Sequence, residues 1–121
     1  MKLMLVAIGG AFGSTLRYLI SQWIGCASGN FPWNTFAINC LGCLLIGFFA
    51  VKFTDSGQDL NRLLIMTGIL GGFTTFSAFS LELVQLIFLD KIVTAALYAL
   101  SSCLFGLFFC GVGYLVAQKF L

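Results

Sequence analysis

Residues 71–80 read Gly-Gly-Phe-Thr-Thr-Phe-Ser-Ala-Phe-Ser, in the middle of a long apolar segment. Paired glycines and paired threonines weaken a helix, so this stretch predicts a helix that breaks within an apolar environment. Broken backbone in a bilayer is tolerated only where protein or a water-filled cavity surrounds it, and such breaks often bind ions. A kinked packing helix, with hydroxyls bonded back to the preceding turn, is the open alternative.

The whole chain has the composition of a membrane protein. Of its 121 residues, 60% are hydrophobic and 8% are charged, and its mean hydropathy is +1.08. A soluble domain needs more charge than this to cover its surface. Since each bilayer crossing takes about 20 apolar residues, four crossings use nearly the whole chain. We predict an all-α membrane protein with one transmembrane domain over residues 1–121, whose helices cover about 3–24, 33–53, 62–88 and 92–119.

Glycines are spaced for close contact between these helices. Gly9 and Gly13 are four residues apart, as are Gly68 and Gly72, and this spacing lets helix backbones approach closely in a membrane. The contact lies either within the subunit or against a partner. Short loops make neighbouring helices antiparallel. Because four helices make a thin bundle, we expect an oligomer.

The orientation of the chain is weakly specified. With four crossings, both termini and the middle loop share one side of the membrane, and the positive-inside rule favours cytoplasmic termini only modestly. Insertion in both orientations therefore stays open. The first side carries Lys2, Lys52, Arg62 and Lys119, and the other carries Lys91 and, near a helix end, Arg17.

The residue types exclude several classes of function. The chain has no histidine, which removes the most common metal ligand and general base, so we expect no enzyme. Its net charge of +2 is too small for a nucleic-acid surface. Cys40 and Cys43 have the C-x-x-C spacing of metal and redox motifs, but no second pair accompanies them. We interpret these cysteines as small packing residues.

Polar side chains recur at helical spacing in the second and fourth segments. Thr35 and Asn39 are four residues apart and share a helix face, and so do Tyr98 and Ser102. A buried asparagine in lipid is costly unless it is bonded. These residues therefore either join helices or line a polar path across the membrane.

Aromatic and charged residues accompany the predicted break. Phe76 and Phe79 lie on roughly one face, as packing side chains or with their electropositive ring edges facing an anion. Arg17 either snorkels to the headgroups or draws anions into a vestibule. Glu82 lies about two turns past the break, and an intramembrane carboxylate is a functional candidate, as a proton-coupled site or as a partner for a donor.

Three motifs together resemble those of the Fluc (CrcB) fluoride channels. Residues 9–18 read Gly-Gly-Ala-Phe-Gly-Ser-Thr-Leu-Arg-Tyr, and residues 34–42 read Asn-Thr-Phe-Ala-Ile-Asn-Cys-Leu-Gly. With residues 71–80 they follow the family's order in the first three helices, and the third motif is the specific one. The resemblance covers essentially the whole chain. It implies a passive, fluoride-selective channel of the bacterial inner membrane that exports fluoride and confers fluoride resistance.

The resemblance also implies an assembly and a set of site residues. Four-helix subunits would form an antiparallel homodimer of dual topology, with two pores along the interface. Backbone carbonyls of Gly71 and Thr74 would bind a structural sodium ion shared with the partner subunit. Arg17 would lie in a vestibule, and Glu82 matches an acidic position of uncertain role. The fluoride pore would be lined by Phe76, Phe79 and Asn39, with a polar track of Thr35, Ser77, Tyr98 and Ser102.

The chain departs from the family pattern at two positions, and two other functions remain alternatives. Ala78 and Gly106 stand where hydroxyl residues are expected, which predicts a thinner polar track. A small multidrug-type, proton-coupled exporter is the first alternative, although its glutamate normally lies in the first helix and here only Glu82, in the third segment, is available. A non-transporting scaffold held by glycine contacts is the second, and it would not require the clustered break.

Overall fold

The computed structural model describes residues 1–25, 29–54 and 57–120. Cys26 and parts of the polar turns predicted around 27–32 and 54–61 lie outside these residues. The prediction of four membrane-spanning helices is confirmed, since four helical stretches are long and apolar enough to cross a bilayer. They are α1 (Lys2–Ile24), α2 (Trp33–Lys52), a composite third span (Asp59–Phe88) and α6 (Ile92–Phe120).

The third span is broken, as predicted, but at its threonines and not at its glycines. Gly71 keeps helical backbone angles, with φ −64° and ψ −37°, whereas Thr74 (φ −78°, ψ 154°) and Thr75 (φ −148°, ψ 117°) are extended. The span also begins at Asp59, before the predicted start at residue 62, and an acidic residue in a first turn favours the helix N-terminus. Its parts are α3 (Asp59–Arg62), a π-helical segment (Leu63–Leu70), α4 (Gly71–Phe73) and α5 (Phe76–Phe88).

The helices pack in pairs around the break. Helix α1 packs along the π-helical segment and α4, while α2 packs along α6, and α5 closes against α6. The most deeply buried large side chains are Ile38, Phe73 and Tyr98, which lie on α2, the third span and α6. The core therefore surrounds the interrupted helix and holds its two halves in place.

A tight turn over residues 89–91 joins α5 to α6. Asp90 has φ 56°, its N–H donates to the Ile87 carbonyl at 3.0 Å, and the Lys91 N–H donates to the Leu86 carbonyl at 2.9 Å. This pair of bonds is the Schellman motif, which ends a helix with a residue in the left-handed region. The ammonium of Lys91 also donates to the Gly29 carbonyl, so the two loops at this end of the bundle are tied together.

The close contact between α1 and the third span predicts an effect of glycine substitution. A Cβ at Gly13 would overlap the carbonyl oxygen of Ile69, whereas a Cβ at Gly10 would approach nothing nearer than 4.0 Å. The overlap is with backbone atoms, which cannot move aside as a flexible side chain could. We therefore expect Gly13→Ala to lower the free energy of unfolding by about 1–3 kcal/mol. Gly10→Ala is the matched control and should be neutral or slightly stabilising. Unfolding titrations with SDS in mixed micelles measure both variants, and equal stabilities would contradict the contact.

Candidate functional site

The break in the third span is held by one side chain of α2. Asn39 Nδ2 donates to the Thr75 carbonyl at 3.1 Å, and the Thr75 N–H donates to Asn39 Oδ1 at 2.9 Å. The carboxamide thus pairs with the extended backbone as a neighbouring strand would, and replaces the helical bonds lost at the break. This pairing leaves the second N–H of the Asn39 amide unused, and Asn39 lines an open groove beside the break.

The two threonines stabilise the free ends of the half-helices. The Thr74 hydroxyl and N–H both donate to the Leu70 carbonyl, at 2.9 and 3.0 Å. Thr75 is the N-cap of α5, and its hydroxyl accepts from the Ala78 N–H at 3.2 Å. Ser77 Oγ lies 3.2 Å from the same hydroxyl, so Ser77 belongs to the N-terminal turn of α5.

An open groove of about 320 Å³ lies beside the break, between α2, α5 and α6. Ser102 Oγ is buried in it and has no hydrogen-bond partner among the described residues. Cationic side chains do not occur among the residues found to line the groove. They are Asn39, Gly42, Cys43, Ile46, Thr74, Thr75, Phe76, Phe79, Ser102 and Cys103.

Two phenylalanine rings form one wall of this groove. The ring centroids of Phe76 and Phe79 are 5.6 Å apart, and Phe76 is 79% exposed. Phe79 is half-buried and packs on Tyr98 at a centroid distance of 5.1 Å. The exposed ring therefore extends from the subunit surface, whereas the inner ring is fixed against α6.

Glu82 connects three spans through two hydroxyl donors. Thr35 Oγ1 donates to Glu82 Oε1 at 2.6 Å, and the Tyr98 hydroxyl donates to Glu82 Oε2 at 2.7 Å. Thr35 and Tyr98 are 3% and 0% exposed, so their hydroxyls have little access to solvent. These short bonds to a carboxylate are the charge-assisted kind, which are stronger than bonds between neutral groups.

The same carboxylate faces a second cavity at the end of the bundle. This cavity has a volume of about 530 Å³ and is lined by Gly29, Asn30, Pro32, Glu82, Gln85, Leu86, Phe88 and Leu89. Since Phe79 lines the groove and packs on Tyr98, a continuous row of side chains runs from the groove to this cavity. Its order is Phe79, Tyr98 and Glu82.

Arg17 lies against the other half-helix. It is about two turns before the end of α1, and its Nε donates to the Gly72 carbonyl at 3.2 Å. That carbonyl belongs to the last turn before the break, where the helix dipole is negative and a cation is favourable. Arg17 therefore reaches the break through its guanidinium.

Two backbone carbonyls at the break are left without donors. None of the residues that the structure describes donates a hydrogen bond to the carbonyl oxygen of Gly71 or of Thr74. Gly71 lies at the exposed surface of the subunit and Thr74 is half-buried. Unpaired carbonyls at membrane depth are costly, and oxygen atoms of this kind suit a hard cation.

The structure brings most of the sequence-predicted residues to one region. Phe76, Phe79, Asn39 and Ser102 line the groove. Tyr98 packs against Phe79, and the hydroxyls of Thr35 and Tyr98 both donate to Glu82.

Sequence reasoning missed the role of Thr75 and of the Gly72 carbonyl. Thr75 stands at the start of α5, and a threonine before a helical run is itself an N-cap signal. Its pairing with Asn39 spans 36 residues of sequence, and no local pattern carries that information.

Comparison with known proteins assigns the chain to a family. The model of the CrcB-like proteins, described as Camphor Resistance (CrcB), matches residues 4–114. The chain belongs to this family. Since the chain has four candidate membrane spans and its relatives are bacterial, it is a multi-pass protein of the bacterial plasma membrane.

Several curated relatives in the family carry the name fluoride-specific ion channel FluC. A protein of Rhizobium johnstonii is 48% identical over 102 residues, which cover 81% of each chain. A protein of Erythrobacter litoralis is 48% identical and covers 84% of this chain and 86% of its own. A protein of Thermus thermophilus is 41% identical and covers 93% of this chain and 91% of its own.

Proposed function

We propose that the chain is one subunit of a passive, fluoride-selective channel that exports fluoride and confers fluoride resistance. The observation that carries this proposal is the groove beside the break. There an unpartnered serine hydroxyl, an asparagine amide and two phenylalanine rings converge. The names of the family relatives agree with it.

The chemistry of the groove suits a small, strongly hydrated anion. Dehydrating fluoride in a low-dielectric interior is expensive, so each water must be replaced by a donor. The Ser102 hydroxyl and the second N–H of Asn39 are such donors, and the edges of the Phe76 and Phe79 rings carry positive potential. The described residues that line the groove include no lysine or arginine, and weak binding of this kind allows an ion to leave as well as to enter.

A second copy of the chain would complete the site. The groove is open, Phe76 is 79% exposed, and the Gly71 carbonyl lies at the surface. Pairing two copies would cover these groups from lipid. We therefore propose a homodimer, and the weak charge bias between the two sides is compatible with subunits inserted in opposite orientations.

The carbonyls of Gly71 and Thr74 fit a sodium site in such a dimer. Both lack donors among the described residues, and two copies would supply four carbonyl oxygens at the interface. Bound sodium would supply a positive charge to these negative helix ends. We propose that Gly71 and Thr74 hold it as a structural ion.

The alternative of a small multidrug-type exporter is not supported by the comparisons. Its essential feature would be an available carboxylate, and both oxygens of Glu82 already accept hydrogen bonds from Thr35 and Tyr98. Those bonds support a role for Glu82 in positioning α2, α5 and α6 around the pore.

Fluoride efflux from liposomes that contain the purified protein tests the proposed function. We expect fast fluoride release and little chloride release, measured with ion-selective electrodes after a potassium ionophore is added. Phe76→Ile should slow fluoride release at least about tenfold, because it removes an aromatic edge worth about 1.4 kcal/mol.

A matched substitution separates this effect from a general loss of folding. Phe108 on α6 is 60% exposed and does not line the groove, so Phe108→Ile should release fluoride at the wild-type rate. Absence of fluoride release from liposomes shown to contain folded protein would contradict the proposed function.

A further inference from the structure

A cation of the chain itself shares a helix end with the proposed sodium ion. Arg17 Nε binds the Gly72 carbonyl at 3.2 Å. Gly72 follows Gly71 directly and precedes Thr74 by two residues. The guanidinium and the proposed ion therefore act on carbonyl groups of the same broken turn.

The charge of Arg17 is not neutralised by an acidic side chain. Within residues 1–25, 29–54 and 57–120, the Gly72 carbonyl is the partner found for its guanidinium. Glu82, the acidic residue of α5, has its two oxygens engaged by Thr35 and Tyr98. Since arginine stays protonated in proteins, a full positive charge lies beside the break.

We infer that Arg17 sets the affinity of the Gly71 and Thr74 carbonyls for sodium, and that its charge weakens this binding. The inference rests on the sodium site of the proposed function. One like charge about 10 Å from the ion, at an effective dielectric constant of about 20, changes a binding constant roughly tenfold, and the proposed homodimer would carry one such charge in each subunit. Arg17 also places a positive charge at the negative helix end. Without Arg17, sodium alone would supply that charge.

The test compares charge with hydrogen bonding at one position. Arg17→Gln keeps a donor for the Gly72 carbonyl and removes the charge, whereas Arg17→Lys keeps both. The measurement is the sodium concentration that gives half-maximal thermal stabilisation of the purified protein in detergent. N-methylglucamine chloride keeps the ionic strength constant.

We expect the half-maximal sodium concentration to fall at least about tenfold in Arg17→Gln, which removes one charge from each subunit, and to stay within about twofold of wild type in Arg17→Lys. An unchanged or higher value in Arg17→Gln would overturn the inference, and so would an equal shift in both variants. Arg17→Met, which is neutral and apolar, is a second variant in case Arg17→Gln does not fold. If both neutral variants fail to fold at every sodium concentration while Arg17→Lys folds, the charge is needed for folding and the inference is wrong.

Two controls distinguish this inference from the proposals on which it rests. If the thermal stability of the wild-type protein did not change with sodium concentration, both the sodium site and the inference would be refuted. Fluoride efflux measured on the same preparation would still report whether the chain conducts fluoride. Normal efflux and a normal sodium response with no change in Arg17→Gln would refute the role of Arg17 alone.

Discussion

Replacing Asn39 by alanine is expected to abolish fluoride efflux and to destabilise the fold. The substitution removes both hydrogen bonds to Thr75, at 3.1 and 2.9 Å, and leaves a backbone N–H and a carbonyl unpaired at membrane depth. Each unsatisfied group costs about 1–3 kcal/mol, so the free energy of unfolding should fall by about 2–6 kcal/mol. Without the two bonds, the extended backbone at the break is no longer held in place, so the residues that line the groove move. We expect fluoride efflux to fall at least about 100-fold, since a misplacement of about 1 Å can have an effect of this size.

A carboxylate at the same position tests the need for the amide donor of Asn39. Asn39→Asp keeps an acceptor for the Thr75 N–H but loses the donor to the Thr75 carbonyl and presents oxygen to the groove. It should therefore conduct fluoride poorly, because its negative charge repels the anion, and it should be no more stable than Asn39→Ala, because an unpaired carboxylate next to a carbonyl oxygen at membrane depth is costly. SDS unfolding titrations and liposome efflux measure the two properties separately.

Asn34 provides the matched control for both substitutions. It lies in the first turn of α2, its Nδ2 is 3.4 Å from Ser21 Oγ, and it makes no hydrogen bond at the break. Asn34→Ala should keep fluoride efflux near the wild-type rate. If Asn39→Ala lowers the free energy of unfolding no more than Asn34→Ala does, the carboxamide of Asn39 does not hold the break in place.

The break was predictable from the sequence, but its form was not. Paired glycines and threonines weaken a helix locally, and that signal is visible in residues 71–80. Whether the helix breaks at the glycine pair or at the threonine pair depends on partners far along the chain. Gly72 stays helical in contact with Gly10 of α1, while Thr75 becomes extended because Asn39 pairs with its backbone.

The sequence predicts the candidate site residues from their types, but it does not predict their partners. Helical spacing placed Thr35 and Asn39 on the same face of α2, and Tyr98 and Ser102 on the same face of α6. The convergence of Thr35 and Tyr98 on Glu82 depends on how three spans pack, which periodicity within one helix does not contain. Arg17 is similar, because a carbonyl acceptor leaves no signature in the side chains of the sequence.

The second large effect is expected at Glu82, whose carboxylate joins three spans. Glu82→Ala leaves the Thr35 and Tyr98 hydroxyls without their acceptor, although these residues are 3% and 0% exposed. Hydrogen bonds to charged groups contribute about 1.5–3 kcal/mol each, so the free energy of unfolding should fall by about 3–6 kcal/mol. Glu82→Gln keeps one acceptor oxygen and offers an amide donor to the other hydroxyl, and should cost about 1–2 kcal/mol.

A double-mutant cycle apportions this loss between the two hydroxyls. Tyr98→Phe and Thr35→Val should each couple to Glu82→Ala by about 1–3 kcal/mol, whereas Leu41→Ala, at a residue of α2 that is 43% exposed, should not couple to it. Fluoride efflux should follow stability, with Glu82→Gln keeping at least about a tenth of the wild-type rate, a loss of no more than about 1.4 kcal/mol.

Equal loss of efflux in Glu82→Gln and Glu82→Ala would contradict a positioning role, because the two variants differ in how well they hold the hydroxyls. The negative charge itself would then act on the permeating ion, and it would do so from the boundary between the row of Phe79 and Tyr98 and the cavity at the end of the bundle. If positioning is correct, Glu82 acts through Tyr98, which fixes the Phe79 ring at a centroid distance of 5.1 Å. Tyr98→Phe keeps that ring contact and should then conduct better than Glu82→Ala.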